Sequence, residues 1–182
     1  MSVGLCAGRV RFVTRLMYVE RSNPLFLKTA MRLRFALLLF SFAALVQAAP
    51  PAVYNETADA KAEIRDAMHA AAQSGRPVLV VFGANWCGDC KILDLAFKEG
   101  ASAPLIAKKF VVVKVDVGRF DRNTDIAASY GVPLKHGIPA VVVISPQGEP
   151  IYATRGGELA DARSMGDKGI YEFFLNVAGQ AK

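Results

Sequence analysis

Residues 78–98 read VLVVFGANWCGDCKILDLAFK, and this stretch decides the fold. It begins with a continuous apolar run, Val78 to Phe82, which is typical of a strand buried on both faces. It ends with Lys91 to Lys98, where the spacing of apolar residues predicts a helix. Cys87 and Cys90 stand between the two. The sequence therefore places a CxxC pair at the start of a helix that directly follows a buried strand.

This position gives the two cysteines different chemistry. The first residue of a helix lies beside unpaired backbone N–H groups and the positive end of the helix dipole, which favour a thiolate. Cys87 is therefore the predicted nucleophile. Cys90 lies about one turn further on, where it can attack a mixed disulfide and release the partner. Half of a zinc site is the alternative, but it needs two more ligands, and the only histidines of the chain are His69 and His136.

The segment upstream of the domain has the features of a secretory signal. Residues 31–49 read MRLRFALLLFSFAALVQAA, with two arginines before a twelve-residue apolar stretch and a small-residue site at 46–48. A spanning helix needs roughly 20 apolar residues, so cleavage near Ala48 or Ala49 is predicted over an uncleaved membrane anchor. Residues 1–30 are read as a dubious extension, either an unusually long basic region or sequence upstream of a true start at Met31. The predicted domain is 50–182.

Charge and cysteine content change once the leader is set aside. Of the 22 basic and 16 acidic residues, seven and one respectively precede residue 49, which leaves 15 of each. A net charge of zero gives no reason to expect a nucleic-acid partner. Of the three cysteines, Cys6 lies in the extension. The remaining pair closes almost no loop, so stabilisation explains it poorly and redox chemistry explains it well.

The rest of the domain predicts a central mixed sheet flanked by helices on both faces, an α/β architecture. Residues 49–55 are expected to form an unstructured lead-in. The other predicted elements are a helix capped by Thr57 or Asp59 and running to about Ser74, a short helix at 104–109, a strand at 110–117, a short helix at 125–130, a strand at 140–145, an antiparallel edge strand at 150–154 and a final helix at 167–178.

Two motifs carry a family resemblance. Trp86 to Lys91 (WCGDCK) after an apolar strand resembles the active-site signature of the thioredoxin superfamily, and Gly137-Ile138-Pro139 before the third strand resembles its second signature. The similarity covers residues 57–178. It is nearest to exported members, including the C-terminal domain of the membrane thiol–disulfide interchange protein.

The resemblance implies a thioredoxin-like fold and a set of substrate-binding residues. It implies a cis bond before Pro139 and a substrate segment that pairs with the backbone at Ile138 and Pro139. It also implies that Trp86 flanks the dithiol and shapes the docking surface. The alternative for Trp86 is an aromatic side chain that only packs on a loop.

The sequence also departs from the family pattern. Thioredoxins carry a buried aspartate six residues before the first cysteine, where this chain has Val81, so the proton-accepting role of that acid is not carried over. Lys114 matches the lysine that accompanies it and is expected to be a solvated strand-end charge. Asp89, between the cysteines, is expected either to tune the dithiol or to be a tolerated exposed residue. His136 is expected to be an exposed loop residue, with an alternative role at the edge of the substrate groove.

Together these features predict an exported, periplasmic thiol–disulfide oxidoreductase that needs no cofactor and acts as a monomer on protein dithiols and disulfides. A membrane redox partner is a possible source of electrons. Since a carboxylate at Asp89 disfavours the Cys87 thiolate, a reductase is favoured over an isomerase or oxidase. A non-catalytic binding module and a Cu(I) metallochaperone are the alternatives from other classes.

Overall fold

The structure is a computed structural model, and it describes residues 52–180. The predicted signal at 31–49 and the extension at 1–30 lie outside the described residues. Within 52–180, no helix is both long and apolar enough to cross a membrane.

Among residues 52–180, four strands form one mixed sheet in the order β2-β1-β3-β4. They are β1 (Val78–Gly83), β2 (Val111–Asp116), β3 (Ala140–Ile144) and β4 (Pro150–Ala153). Strand β1 is central, parallel to β2 and antiparallel to β3, and β4 is the antiparallel edge. The strands at the centre are the continuous apolar runs of the sequence, because a strand covered on both faces by helices is apolar at every position.

In the part of the chain that the structure describes, five α-helices surround the sheet: α1 (Ala60–Ser74), α2 (Gly88–Lys98), α3 (Ser102–Lys109), α4 (Thr124–Ser129) and α5 (Ala162–Gln180), with a 3-10 turn at Leu134–His136. Helix α1 starts where predicted, because the Asp59 carboxylate accepts the N–H groups of residues 61 and 62. It ends at Gly75, whose φ of 68° is the left-handed cap conformation that glycine adopts readily.

Alternate residues of β1 enter two separate cores, as the pleat requires. Val78, Val80 and Phe82 pack with α1 and α4, in the cluster that also contains both cysteines of the CxxC pair. Leu79 and Val81 pack on the opposite face with α2, α3 and α5. The predicted α/β mixed sheet with helices on both faces is confirmed.

The main departure from the predicted elements is the last helix. It was expected to begin at Asp167, but helical structure extends back to Ala162 across a kink at Gly166, where φ is 63°. Leu159 and Ala162 are fully buried against the sheet. Their burial supplies packing energy for the extra turn that the local sequence does not indicate.

Candidate active site

The dithiol lies at the carboxyl end of β1, where the chain turns into α2. Cys87 and Cys90 are joined by a disulfide, with their Cα atoms 5.3 Å apart. Cys87 is the N-cap of α2, and its Sγ accepts the N–H of Cys90 at 3.1 Å. Cys87 is 5% exposed and Cys90 is 1% exposed. The outer sulfur therefore meets the helix N-terminus, and the inner sulfur faces the core.

A second chain segment closes over the outer cysteine. The Ile138–Pro139 peptide bond is cis, and Cys87 Sγ lies 3.5 Å from the carbonyl oxygen of Ile138. Both Ile138 and Pro139 are buried immediately before β3. The structure therefore brings the two sequence motifs, 51 residues apart, into direct contact.

Trp86 is half exposed beside the dithiol and is oriented by the loop that follows β2. Its indole N–H donates to the carbonyl oxygen of Gly118 at 2.8 Å. Its ring meets Phe120 edge-to-face, with centroids 6.0 Å apart and planes at 67°. Phe120 is itself 43% exposed and has a φ of 67°, which is uncommon for a bulky residue. The two rings form an exposed aromatic pair next to Cys87.

Asp89 is neither solvated nor exposed, so the expectation of an exposed residue in the first turn of α2 is wrong. Its exposure is 7%. One carboxylate oxygen accepts the backbone N–H of Arg163 at 3.0 Å and its Nε at 3.1 Å. The other lies 3.0 Å from Nη2 of the same guanidinium. Burial acts to raise the pKa of Asp89, but these hydrogen bonds and the guanidinium charge outweigh it and leave the pKa below its ordinary value.

Arg163 is a site residue that the sequence did not reveal. Its guanidinium lies over the dithiol loop, with Nη1 3.4 Å from where a Cβ on Gly88 would stand. The contact spans 74 residues of sequence. No local pattern signals such a pairing, because it depends on where the start of α5 packs.

A second buried carboxylate corrects the expectation for Lys114, which is not a solvated charge. Lys114 donates to Asp94, whose other oxygen lies 2.8 Å from Lys98 Nζ. Asp94 is buried on α2, one turn beyond Cys90. Burial acts to raise the pKa of Asp94, but the two lysines outweigh it and hold the pKa below its usual range. Position 81 of β1 is a valine that packs in the core cluster without the cysteines. The buried acid that pairs with Lys114 is therefore supplied by α2, as Asp94.

The predicted lead-in also contributes to the site, contrary to the expectation that residues 49–55 lack structure. Tyr54 is 2% exposed. The Asn85 side chain accepts the backbone N–H of Tyr54 and donates to its carbonyl oxygen, both at 2.9 Å. The Tyr54 ring then lies beneath Gly83 and near Cys90. His136 is exposed in the 3-10 turn, as expected.

Potential metal ligands do not cluster in the part of the chain that the structure describes. Nowhere in residues 52–180 does a group of three or more His, Cys, Asp or Glu side chains converge. In the disulfide state both sulfurs are also already bonded to each other.

Comparisons with known proteins agree with this geometry. Residues 59–146 match the family model described as thioredoxin-like. The crystal structure of a disulphide isomerase from Xylella fastidiosa Temecula1 is 49% identical, with a TM-score of 0.69, covering 71% of this chain and 98% of that one. A thioredoxin of Mycoplasmoides gallisepticum is 34% identical over half of this chain and 71% of its own length.

Other relatives are much longer than the matched region. Protein disulfide-isomerase erp38 of Neurospora crassa is 34% identical over half of this chain, but the match spans only 24% of its length. For the protein disulfide-isomerase of Hordeum vulgare the corresponding share is 16%.

The fold and the paired cysteines define the class of thioredoxin-like thiol–disulfide oxidoreductases. The chain belongs to the thioredoxin superfamily, as the matched family model and the similarity to the Mycoplasmoides gallisepticum thioredoxin show.

Proposed function

We propose that the protein exchanges disulfides with protein clients, with Cys87 as the attacking residue and Cys90 as the resolving residue. The observation that carries this assignment is the asymmetry of the pair. Cys87 Sγ lies at the N-terminus of α2, accepts a backbone N–H and faces the carbonyl of Ile138, whereas Cys90 is almost fully enclosed. A helix N-terminus lowers the pKa of a cysteine thiol, and enclosure protects the second sulfur from clients.

The exchange proceeds in two displacements. The Cys87 thiolate attacks one sulfur of a client disulfide, forming a Cys87–client bond and releasing the other client sulfur as a thiolate. The Cys90 thiolate then attacks Cys87 Sγ, which forms the Cys87–Cys90 disulfide and releases the second client sulfur as a thiolate. The client gains two electrons, and the dithiol loses two. Run in reverse, the same steps oxidise a client.

The surface around Cys87 suits an extended client segment. The backbone at Ile138 and Pro139 lies on one side of the sulfur. The exposed pair Trp86 and Phe120 lies beside the same loop, where it offers apolar contact area. We therefore assign client binding to Trp86, Ile138 and Pro139, as the family resemblance implies, and add Phe120.

For the direction of exchange we retain a reductase as the first candidate, supplied with electrons by a separate redox partner. The electrostatic argument from Asp89 is weaker than the sequence suggested, because Arg163 pairs with its carboxylate. A disulfide isomerase is the second candidate. It is favoured by the neighbour named a disulphide isomerase, because the match at 49% identity spans 98% of that neighbour and 71% of this chain.

The equilibrium constant of the dithiol with glutathione tests the direction. Trp86 is the single tryptophan of the chain and adjoins Cys87, so its fluorescence reports the redox state. A potential near that of thioredoxin, about −270 mV, supports a reductase, and one near about −180 mV supports an isomerase. Absence of any exchange with glutathione or a protein disulfide would contradict the oxidoreductase proposal and leave a binding module or a Cu(I) carrier.

Export to the periplasm is part of the proposal and rests on the leader at 31–49. The basic start, twelve-residue apolar stretch and small-residue site are the three parts of a cleavable signal. An exported compartment also permits a disulfide to persist between turnovers. Fractionation of cells that express the full chain tests this directly, because an exported protein is released with the periplasmic contents.

A further inference from the structure

We propose that the hydroxyl of Tyr54 is a positioning group for the resolving step, in which it donates a hydrogen bond to the Cys90 thiolate. This inference rests on the proposed exchange function and adds a residue from outside both sequence motifs. It concerns a buried polar group that the two displacements themselves do not use.

Tyr54 is built into the dithiol loop although it lies more than 30 residues upstream. Asn85, two residues before Cys87, accepts the backbone N–H of Tyr54 and donates to its carbonyl oxygen. The same amide nitrogen donates to Glu56 at 2.8 Å. These bonds hold the segment before α1 against the turn that carries the cysteines, so the ring has a defined place.

The hydroxyl and the inner sulfur meet at Gly83, the last residue of β1. A Cβ at Gly83 would collide with the Tyr54 hydroxyl and lie 2.9 Å from Cys90 Sγ. Both polar atoms therefore lie beside Gly83, and Tyr54 and Cys90 belong to the same buried cluster. Any side chain at this position would overlap both atoms, so glycine is what allows the hydroxyl and the sulfur to approach each other.

Burial and nearby carboxylates keep the Tyr54 hydroxyl neutral. Asp94 from α2 and Asp116 from β2 both act on Tyr54. Asp94 is itself paired with Lys98 and Lys114, and Asp116 lies 3.8 Å from Arg122. Burial and the two carboxylates raise the pKa of Tyr54 far above its ordinary value. The phenol therefore keeps its proton and can only donate to a neighbouring anion. Burial of Cys90, which is 1% exposed, opposes a thiolate at its sulfur, and a donated hydrogen bond offsets that opposition.

Protons and electrons balance in the resolving step, and the Tyr54 phenol is not consumed. With Cys87 in a mixed disulfide, the Cys90 thiol loses its proton to solvent. The resulting thiolate accepts the hydrogen bond of Tyr54 until it attacks Cys87 Sγ. The client sulfur then leaves as a thiolate, and Tyr54 ends the step protonated as it began.

The test compares Tyr54→Phe with Tyr152→Phe, a matched loss of a hydroxyl from the edge strand β4 on the other core face. Both are made in a Cys87→Ser background of the full chain. The titration of Cys90 is followed through its Cβ chemical shift by NMR. Tyr54→Phe should raise the Cys90 pKa by about one unit, which is about a tenfold lower thiolate fraction, and Tyr152→Phe should leave it unchanged.

Three results would overturn the inference: an unchanged Cys90 pKa in folded Tyr54→Phe, an equal shift in Tyr152→Phe, or a shift in the opposite direction. Fluorotyrosine placed at residue 54 provides a second measurement that keeps the ring in place. As a stronger donor, it should lower the Cys90 pKa. If wild type exchanges disulfides but these shifts are absent, only this inference fails. If wild type does not exchange at all, the proposed function fails first.

Discussion

Replacing Gly83 with alanine tests the packing beneath the dithiol. Gly83 does not have a positive φ, so alanine fits the backbone. By restricting the unfolded chain, alanine would by itself raise the free energy of unfolding by about 0.4–1 kcal/mol. The new Cβ, however, would overlap the hydroxyl and ring carbon of Tyr54 and lie 2.9 Å from Cys90 Sγ. Overpacking a close-packed core costs about 1–3 kcal/mol. Because Asn85 holds the backbone of Tyr54, the steric cost should dominate, with a net loss of about 1–2 kcal/mol.

Urea unfolding of the oxidised protein measures this loss. Gly179→Ala is the control, because a Cβ at this helical position meets nothing within 4 Å, and its stability should not fall. A second control is the double variant of Gly83→Ala with Tyr54→Leu. Contacting residues do not act additively, so its loss should be smaller than the sum of the two single losses. Wild-type or higher stability of Gly83→Ala would refute the described contact between Tyr54, Gly83 and Cys90.

Three further predictions concern the exchange, the buried ion pair and the leader. Cys90→Ser should accumulate mixed disulfides with clients on nonreducing gels, whereas Cys87→Ser should not; equal trapping by both would show that the nucleophile is misassigned. Asp94→Asn should destabilise the protein at neutral pH. Since the pKa of Asp94 is lowered by folding, its contribution is present above about pH 4 and lost as pH falls through the folded pKa. The difference from wild type in urea should therefore shrink in acid, and a difference independent of pH would contradict the ion-pair assignment. Finally, N-terminal sequencing of exported protein should find its first residue at Ala49 or one position later; recovery of a membrane-embedded product that retains 35–46 would contradict cleavage.

Most of the fold follows from local sequence signals. The strands are recognisable because each core strand is a mainly apolar run rich in valine. The ends of α1 are recognisable because Asp59 and Gly75 are specific cap residues. Two features escaped such signals. A single buried residue such as Tyr54 has no periodicity to detect. The final helix was expected to begin at Asp167, although helical structure begins at the buried Ala162, on the other side of the kink at Gly166.

The candidate site shows the same difference between local motifs, which the sequence predicts, and long-range pairings, which it does not. The CxxC pair and the Ile138–Pro139 segment are compact motifs, and the structure brings them together. The environment of Asp89 was predicted wrongly because its partner lies 74 residues away. The Lys114 partner lies on a different element 20 residues away. Burial of a charge is decided by such distant partners, since an unpaired carboxylate would stay in water. One sequence does not reveal these pairings.

The two sulfurs of the dithiol differ in their surroundings, and the difference matches the two chemical roles. Beside Cys87, the carboxylate of Asp89 is paired with Arg163, so the helix N-terminus acts on the outer sulfur with little opposition. Behind Cys90, Asp94 is paired with Lys98 and Lys114, and Asp116 lies 3.8 Å from Arg122, so the feature that sets the inner sulfur apart is its burial, at 1% exposure. Burial raises the pKa of a thiol, and a helix N-terminus lowers it. Cys87 should therefore ionise first and attack the client. Cys90 should remain a thiol until a mixed disulfide places an electrophilic sulfur beside it, which limits premature release of reducing equivalents from the buried sulfur.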